Sequence, residues 1–333
     1  MANLNLIKKV INAPGISGRE NKIREIIQKI AAPYAESLTT DNLGNLIAFK
    51  KGTSPAPKKL MFAAHMDEIG FLITFIDDKG FIRVSPIGGI HWDAAAFTGV
   101  VFENGVKGVI VPEAQISPSE YNAAKFYIDI GASNKKEAEK RVKIGDFAVM
   151  EPGLRRLSGR RYAGRPLDDR IGCAVMLEAC IKSSVCANDT YFVFTTQEEV
   201  GCRGVKSAAF SIAPDYAAVF DVTKTGDTIN SLPMAVKLGG GAAIKIKDSS
   251  VLCDIDFVNI MRNLAEKNKI KYQLEILEAG GTDTSAIQAT GAGVVAGAIS
   301  IPTRYIHSGS EMIDTGDYDA CVELALKLLE TPL

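Results

Sequence analysis

Lys59-Leu60-Met61-Phe62-Ala63-Ala64-His65-Met66-Asp67 is the stretch whose reading decides the fold. Its apolar run reads as a buried strand that ends at His65, leaving an imidazole and a carboxylate at the carboxyl end. Later segments repeat this arrangement. Tyr191 to Thr196 reads as a strand followed by Gln197-Glu198-Glu199, and Tyr216 to Phe220 as a strand that ends at Asp221. Val294 to Ile299 is a further strand, with His307 a short loop beyond it, and Tyr272 to Ile276 another. Between them, Asp169 to Ser183, Arg203 to Phe210, Leu252 to Asn268 and Tyr318 to Glu330 read as helices. Such alternation predicts an α/β fold with a mostly parallel sheet and helices on both faces.

Upstream, Ser17-Gly18-Arg19-Glu20 fits a capping box that opens a helix through Ile23, Ile26, Ile27 and Ile30. Asp41-Asn42-Leu43-Gly44 reads as a turn between two short strands. From Ile69 to Arg161 the texture changes to short β-rich runs separated by turns, Asn104-Gly105 being a hairpin signal. One polar helix over Asn134 to Lys143 interrupts them. The division expected is therefore a discontinuous domain of residues 1–68 and 162–333, with a small β-rich domain of residues 69–161 inserted into it.

Composition narrows the function classes. The 333 residues carry 38 Lys plus Arg against 39 Asp plus Glu, a net charge of -1, which argues against a nucleic-acid partner. No apolar run is long enough to suggest a membrane span, and the N-terminus lacks a signal-peptide pattern. The six cysteines form no CxxC pair and read as reduced structural thiols, so a cytoplasmic location is expected. Only three histidines are present, so any imidazole chemistry must use His65, His91 or His307.

In an open α/β sheet, ligands bind in the crevice outside the carboxyl ends of the strands. His65-Met66-Asp67, Glu198-Glu199, Asp221 and His307 all fall there, and Leu167-Asp168-Asp169 lies where the insert returns to the first domain. Each has a bland alternative, such as Asp168 capping the next helix. Together they bring two of the three histidines to several carboxylates. Imidazole and carboxylate suit zinc, cobalt or manganese, and one carboxylate can bridge two such ions. Water held there becomes a nucleophile near neutral pH, and a free glutamate can serve as general base. The pair Glu198-Glu199 offers one residue for each role, and Asp67 is placed to hold the His65 tautomer.

Six segments resemble the glutamyl and deblocking aminopeptidases, dinuclear metallopeptidases whose best-known members form tetrahedral particles. They are Ala64 to Gly70, Leu167 to Gly172, Thr196 to Gly201, Asp221 to Thr223, Gly280 to Asp283 and Ile301 to Ser308. The resemblance implies a zinc-peptidase-like catalytic domain that removes N-terminal residues from short peptides. It implies two divalent ions per subunit (Zn, Co or Mn) and a metal-bridging hydroxide. One ion takes His65, Asp168 and Asp221, the other Asp168, Glu199 and His307, with Asp168 bridging. Glu198 is then the general base and Asp67 the orienting carboxylate, with a cis Asp168–Asp169 bond. The insert becomes a dimerisation domain, building a dimer or a dodecamer.

Lys224 departs from the residue, often histidine, that relatives carry after the Asp221 motif. It is a candidate contact for an acidic substrate side chain. Gly281, Thr282 and Asp283 are candidate substrate residues at a helix start. His91, within Gly88-Gly89-Ile90-His91-Trp92, reads as structural or interfacial, and Gly239-Gly240-Gly241 as a flexible wall. Two other function classes are compatible with the carboxylates: a metal-free glycoside hydrolase using Glu198 with Asp168 or Asp221, and a silent peptide-binding scaffold.

Overall fold

The strand that ends at His65 lies in the middle of an eleven-stranded mixed sheet, in a computed structural model that describes all 333 residues. The chain opens with α1 (Leu4–Ile11), α2 (Asn21–Ala31), β1 (Ser37–Thr40), β2 (Leu46–Lys50) and β3 (Lys59–His65). A second set follows: β4 (Gly70–Ile76), β5 (Ile82–Ile87), α3 (Trp92–Ala95), β6 (Thr98–Phe102), β7 (Lys107–Pro112), β8 (Phe126–Asp129), α4 (Lys135–Glu139) and β9 (Phe147–Met150). Next come β10 (Gly153–Arg156), β11 (Arg161–Arg165), α5 (Arg170–Lys182), β12 (Asp189–Thr195), α6 (Arg203–Ile212) and β13 (Tyr216–Thr223). The chain closes with β14 (Ala242–Lys247), α7 (Ile255–Lys267), β15 (Tyr272–Ile276), α8 (Asp283–Gln288), β16 (Val295–Arg304), β17 (Glu311–Asp314) and α9 (Thr315–Leu329).

The large sheet runs β1-β2-β12-β3-β13-β16-β17-β11-β10, with β14 also on β16 and β15 on β14. Its central strands β12, β3, β13 and β16 are parallel, while both flanks are antiparallel. The continuous apolar run of β3 follows from its place there. Leu60, Phe62 and Ala64 enter the core beneath α1, α5 and α9, while Met61 and Ala63 enter the core beneath α6 and α8. A strand covered on both faces has no polar side to show. Register then aligns the strand ends: His65 is opposite Thr195, and β3 pairs on its other side with β13, which carries Asp221.

The six strands β4-β5-β8-β7-β6-β9 close into a barrel with its own core of Phe71, Ile73, Phe102, Ile110, Phe126 and Ile128. Asn104-Gly105 makes the β6–β7 turn, where Gly105 has φ 88°. This small sheet ends at Met150, not at Arg161 as the sequence boundary has it. Residues 153–165 form β10 and β11, and β11 pairs with β17 on the large sheet. Turn signals look alike whichever sheet their strands join, and the pairing with β17 is distant in sequence.

Three further expectations are corrected. The Ser17–Glu20 capping box does not form: α2 starts at Asn21, the Ser17 hydroxyl donates to Asp67, and Glu20 accepts from Gly18 and Gln197 amides. The helix expected over Asn134 to Lys143 is cut to Lys135–Glu139, after which the chain turns to bury Val142 in the barrel. The strand expected to stop at Ile299 continues to Arg304 and turns back into β17. No helix is long and apolar enough to cross a membrane.

Candidate metal centre

His65, at the end of β3, is buried, and its Nδ1 lies 3.0 Å from the Asp67 carbonyl oxygen. A carbonyl only accepts, so Nδ1 carries a proton and Nε2 is the ring atom turned to Asp168 and Asp221. That Nε2 is 3.1 Å from Asp168 Oδ1 and 3.9 Å from Asp221 Oδ1. Asp168 lies between β11 and α5, and the Asp168–Asp169 bond is cis. Its other oxygen, Oδ2, is 3.2 Å from His307 Nε2, which is itself 3.1 Å from Glu199 Oε1. The two oxygens of Asp168 thus face two different histidines.

Carboxylates beneath the cluster hold its loops. Asp67 Oδ1 accepts from the Glu198 amide at 3.1 Å, and Oδ2 from the Glu199 amide at 3.2 Å and the Ser17 hydroxyl at 2.6 Å. The Asp67 carboxylate stands farther from His65 Nδ1, at 3.5 Å, than its carbonyl does. Asp67 therefore grips the imidazole through its backbone and the Glu198-Glu199 turn through its side chain. Asp169 accepts from the His65 and Gly172 amides, capping α5. Glu311, which the sequence reading missed, accepts from the Leu167 and Asp168 amides on Oε2 and from the His307 amide on Oε1. One buried carboxylate so ties the Asp168 loop to the His307 loop. Its acceptance from backbone amides leaves no mark in side-chain spacing.

The charges are unbalanced. Burial raises the Asp221 carboxyl well above its ordinary value, with repulsion from Asp168 adding to it against attraction from His65. Burial also lifts Glu198, helped by Asp221, Asp283 and Glu199, and lifts Glu199 despite its bond to His307. Burial would lower His307, but the bonds to Asp168 and Glu199 outweigh it and carry the ring up to about 11. His65 moves up for the same reason, burial being overcome by Asp168 and Asp67. No lysine or arginine bridges Asp168, Asp221, Glu198 or Glu199. Oxygen and imidazole donors with this deficit of positive charge fit divalent ions. Donor atoms of His65, Asp168 and Glu199 lie within 4.8 Å of one another, as do those of His65, Asp169 and Asp221. Asp169 is spent on two amides, which leaves Asp168 the freer ligand.

Above the cluster opens a cavity of about 640 Å³. Gly281, Thr282 and Lys224 line it, while Asp283 is buried beneath it. Among the lining residues that the sequence did not point to as site residues are two with cationic or imidazole side chains. His91, read as structural or interfacial, reaches the cavity from the barrel, its ring centre 6.0 Å from that of His307, and Lys206 of α6 lines another wall. A Cβ on Gly89 would lie 3.2 Å from His307 Nδ1, so the barrel loop passes directly over that ring.

The sequence pattern of the M42 glutamyl aminopeptidases matches residues 44–324. The chain belongs to this M42 family. It is an aminopeptidase, a peptide hydrolase. A protein of Acetivibrio thermocellus with a provisional aminopeptidase name is 47% identical, over 97% of each chain. The lysyl aminopeptidase of Pyrococcus furiosus is 34% identical, covering 99% of this chain and 97% of its own. Among solved structures, the TET1 peptidase of Pyrococcus horikoshii, which assembles into a tetrahedron or a large octahedral shell, superposes with a TM-score of 0.85. It is 35% identical, with 98% of this chain and 99% of that one covered. The α/β sheet with its small antiparallel barrel is the architecture of these M42 relatives.

Proposed function

We propose that this aminopeptidase is metal-dependent, with one divalent ion held by His65, Asp168 and Asp221 and a second by Asp168, Glu199 and His307. The observation that carries the reading is the split of Asp168, Oδ1 toward His65 and Oδ2 toward His307. Zinc, cobalt or manganese bound there supplies Lewis-acid polarisation of the scissile carbonyl and lowers the pKa of water. Glu198 lines the same cavity on a turn fixed by Asp67. It takes the proton of the attacking water and passes it to the leaving amine. The surrounding carboxylates attract the cationic N-terminus of a short peptide. In a metal-free glycosidase the two histidines would have no role.

Gly281 and Thr282 form a wall for the substrate, and Asp283 supports that wall from below. Lys224, exposed at the rim, is placed to pair with an acidic substrate side chain. The lysyl name of the Pyrococcus furiosus relative makes this the first part of the reading to test. Self-association through the barrel, into a dimer or dodecamer, is supported by the barrel's separate core and by the shells of the TET1 peptidase. The test of metal dependence is peptide turnover after chelation and after return of zinc, cobalt or manganese singly. Loss on chelation and recovery with metal are expected, and full turnover in the chelated protein would refute the proposal.

A further inference from the structure

Beside Glu198 lie two donor groups, Cys202 and Asp283, that take no proton in the proposed hydrolysis. Cys202, at the start of α6, lines the same cavity, and its Sγ donates to Glu198 Oε1 at 3.3 Å. Donor atoms of Glu198, Cys202 and Asp283 lie within 4.8 Å of one another. Asp283 is only 1% exposed. Its Oδ2 takes the Thr195 hydroxyl at 2.6 Å, but Oδ1 has no hydrogen-bond partner. Native structures rarely leave a buried carboxylate oxygen unsatisfied, so this one calls for a partner.

We infer that Glu198, Cys202 and Asp283 form a third cation site, selective for a soft divalent ion such as cadmium or excess zinc, whose occupation stops turnover. One thiol and two carboxylates satisfy such an ion, whereas magnesium prefers an all-oxygen set. As it binds, the thiol releases its proton to solvent and the sulfur becomes a thiolate ligand. The ion supplies the missing partner of the Asp283 carboxylate and draws Glu198 away from the attacking water. None of the three belongs to the ligand set of His65, Asp168, Glu199, Asp221 and His307, so the third ion adds to the pair without replacing either. Cys202 is also the one half-buried cysteine, the other five being buried. The inhibitory half of the inference rests on Glu198 being the base; the binding half does not.

The experiment adds cadmium to enzyme already loaded with two equivalents of cobalt, following the ultraviolet cadmium–thiolate band and peptide turnover together. Wild type is expected to gain the band at one equivalent per chain while turnover falls about 10²-fold or more, the scale of losing a general base. Cys202→Ser and Cys202→Ala are each expected to lack the band and to need at least roughly tenfold more cadmium for the same fractional loss. Serine keeps the volume, so the comparison survives if the alanine protein folds poorly. No band in wild type, or an equal band in Cys202→Ser, overturns the site. A band with undiminished turnover overturns the inhibitory half alone. The role of Glu198 is then decided by Glu198→Gln without cadmium.

Discussion

At the scale of single residues, binding of metal and transfer of protons are expected to fall to different side chains. Glu198→Gln keeps a neutral isostere on the turn gripped by Asp67 but cannot accept a proton. It is expected to retain both ions by elemental analysis and to lose about 10²–10⁴-fold in turnover. Near-normal turnover would move the base elsewhere. His307→Ala removes one donor from one position only, so metal titration is expected to find one ion bound as in wild type and one weakened. Glu311→Ala leaves the amides of Leu167, Asp168 and His307 without their acceptor. It is expected to weaken metal binding about 10–100-fold, the usual cost of losing support behind a ligand. Metal affinity equal to wild type would show that the two loops need no clamp. That His65, Glu199, Asp221 and His307 come together was legible because histidines are scarce and strand ends favour ligands, while their roles and that of Asp168 came from the family resemblance. Glu311 was silent because it speaks only to backbone amides. The place of His91 on the cavity was not legible because nothing local tells that the barrel loop folds back over the sheet.

At the scale of elements, the first turn of α5 is fastened to two others by one buried arginine. Arg170 donates to the carbonyls of Met66, Val10 and Ala13, joining α5, the end of β3 and the end of α1, and it pairs with buried Glu68. Arg170→Ala would strand those carbonyls and leave Glu68 with Arg165 as its remaining cation. A loss of about 3–5 kcal/mol is expected, the usual cost of breaking a buried charge pair, read from urea unfolding of the metal-free protein. A change below about 1 kcal/mol would mean that the network is slack. The central strands were readable because burial on both faces gives a plain apolar run. Strand β14 was not: Lys245 within it is fully buried, held by Glu275 at 2.8 Å and Asp248 at 3.2 Å, and so mimics a solvated lysine. The false capping box has a similar cause, since Ser17 and Glu20 have the right spacing but are recruited by Asp67 and Gln197.

At the scale of the whole molecule, the barrel has its own core yet sends Gly88-Gly89 and His91 over the ligands. Replacing residues 70–150, rather than the longer span that would cut β10 and β11 from the large sheet, separates these contributions. The shortened chain is expected to scatter light as a single subunit, to keep two ions, and to turn over peptides more slowly for want of the covering loop. Scattering at the parental particle mass would place the assembly contacts on the catalytic domain instead. The fold class was legible from the alternation of strands and helices, but the end of the insert depended on a pairing with β17 that no local signal carries. Asp168 is expected to serve two cations at once, and anomalous diffraction at the zinc edge from zinc-loaded crystals tests that directly. Two peaks are expected, one among His65, Asp168 and Asp221 and one among Asp168, Glu199 and His307, with a different Asp168 oxygen facing each. A single peak, or two peaks that share no contact with Asp168, would contradict it.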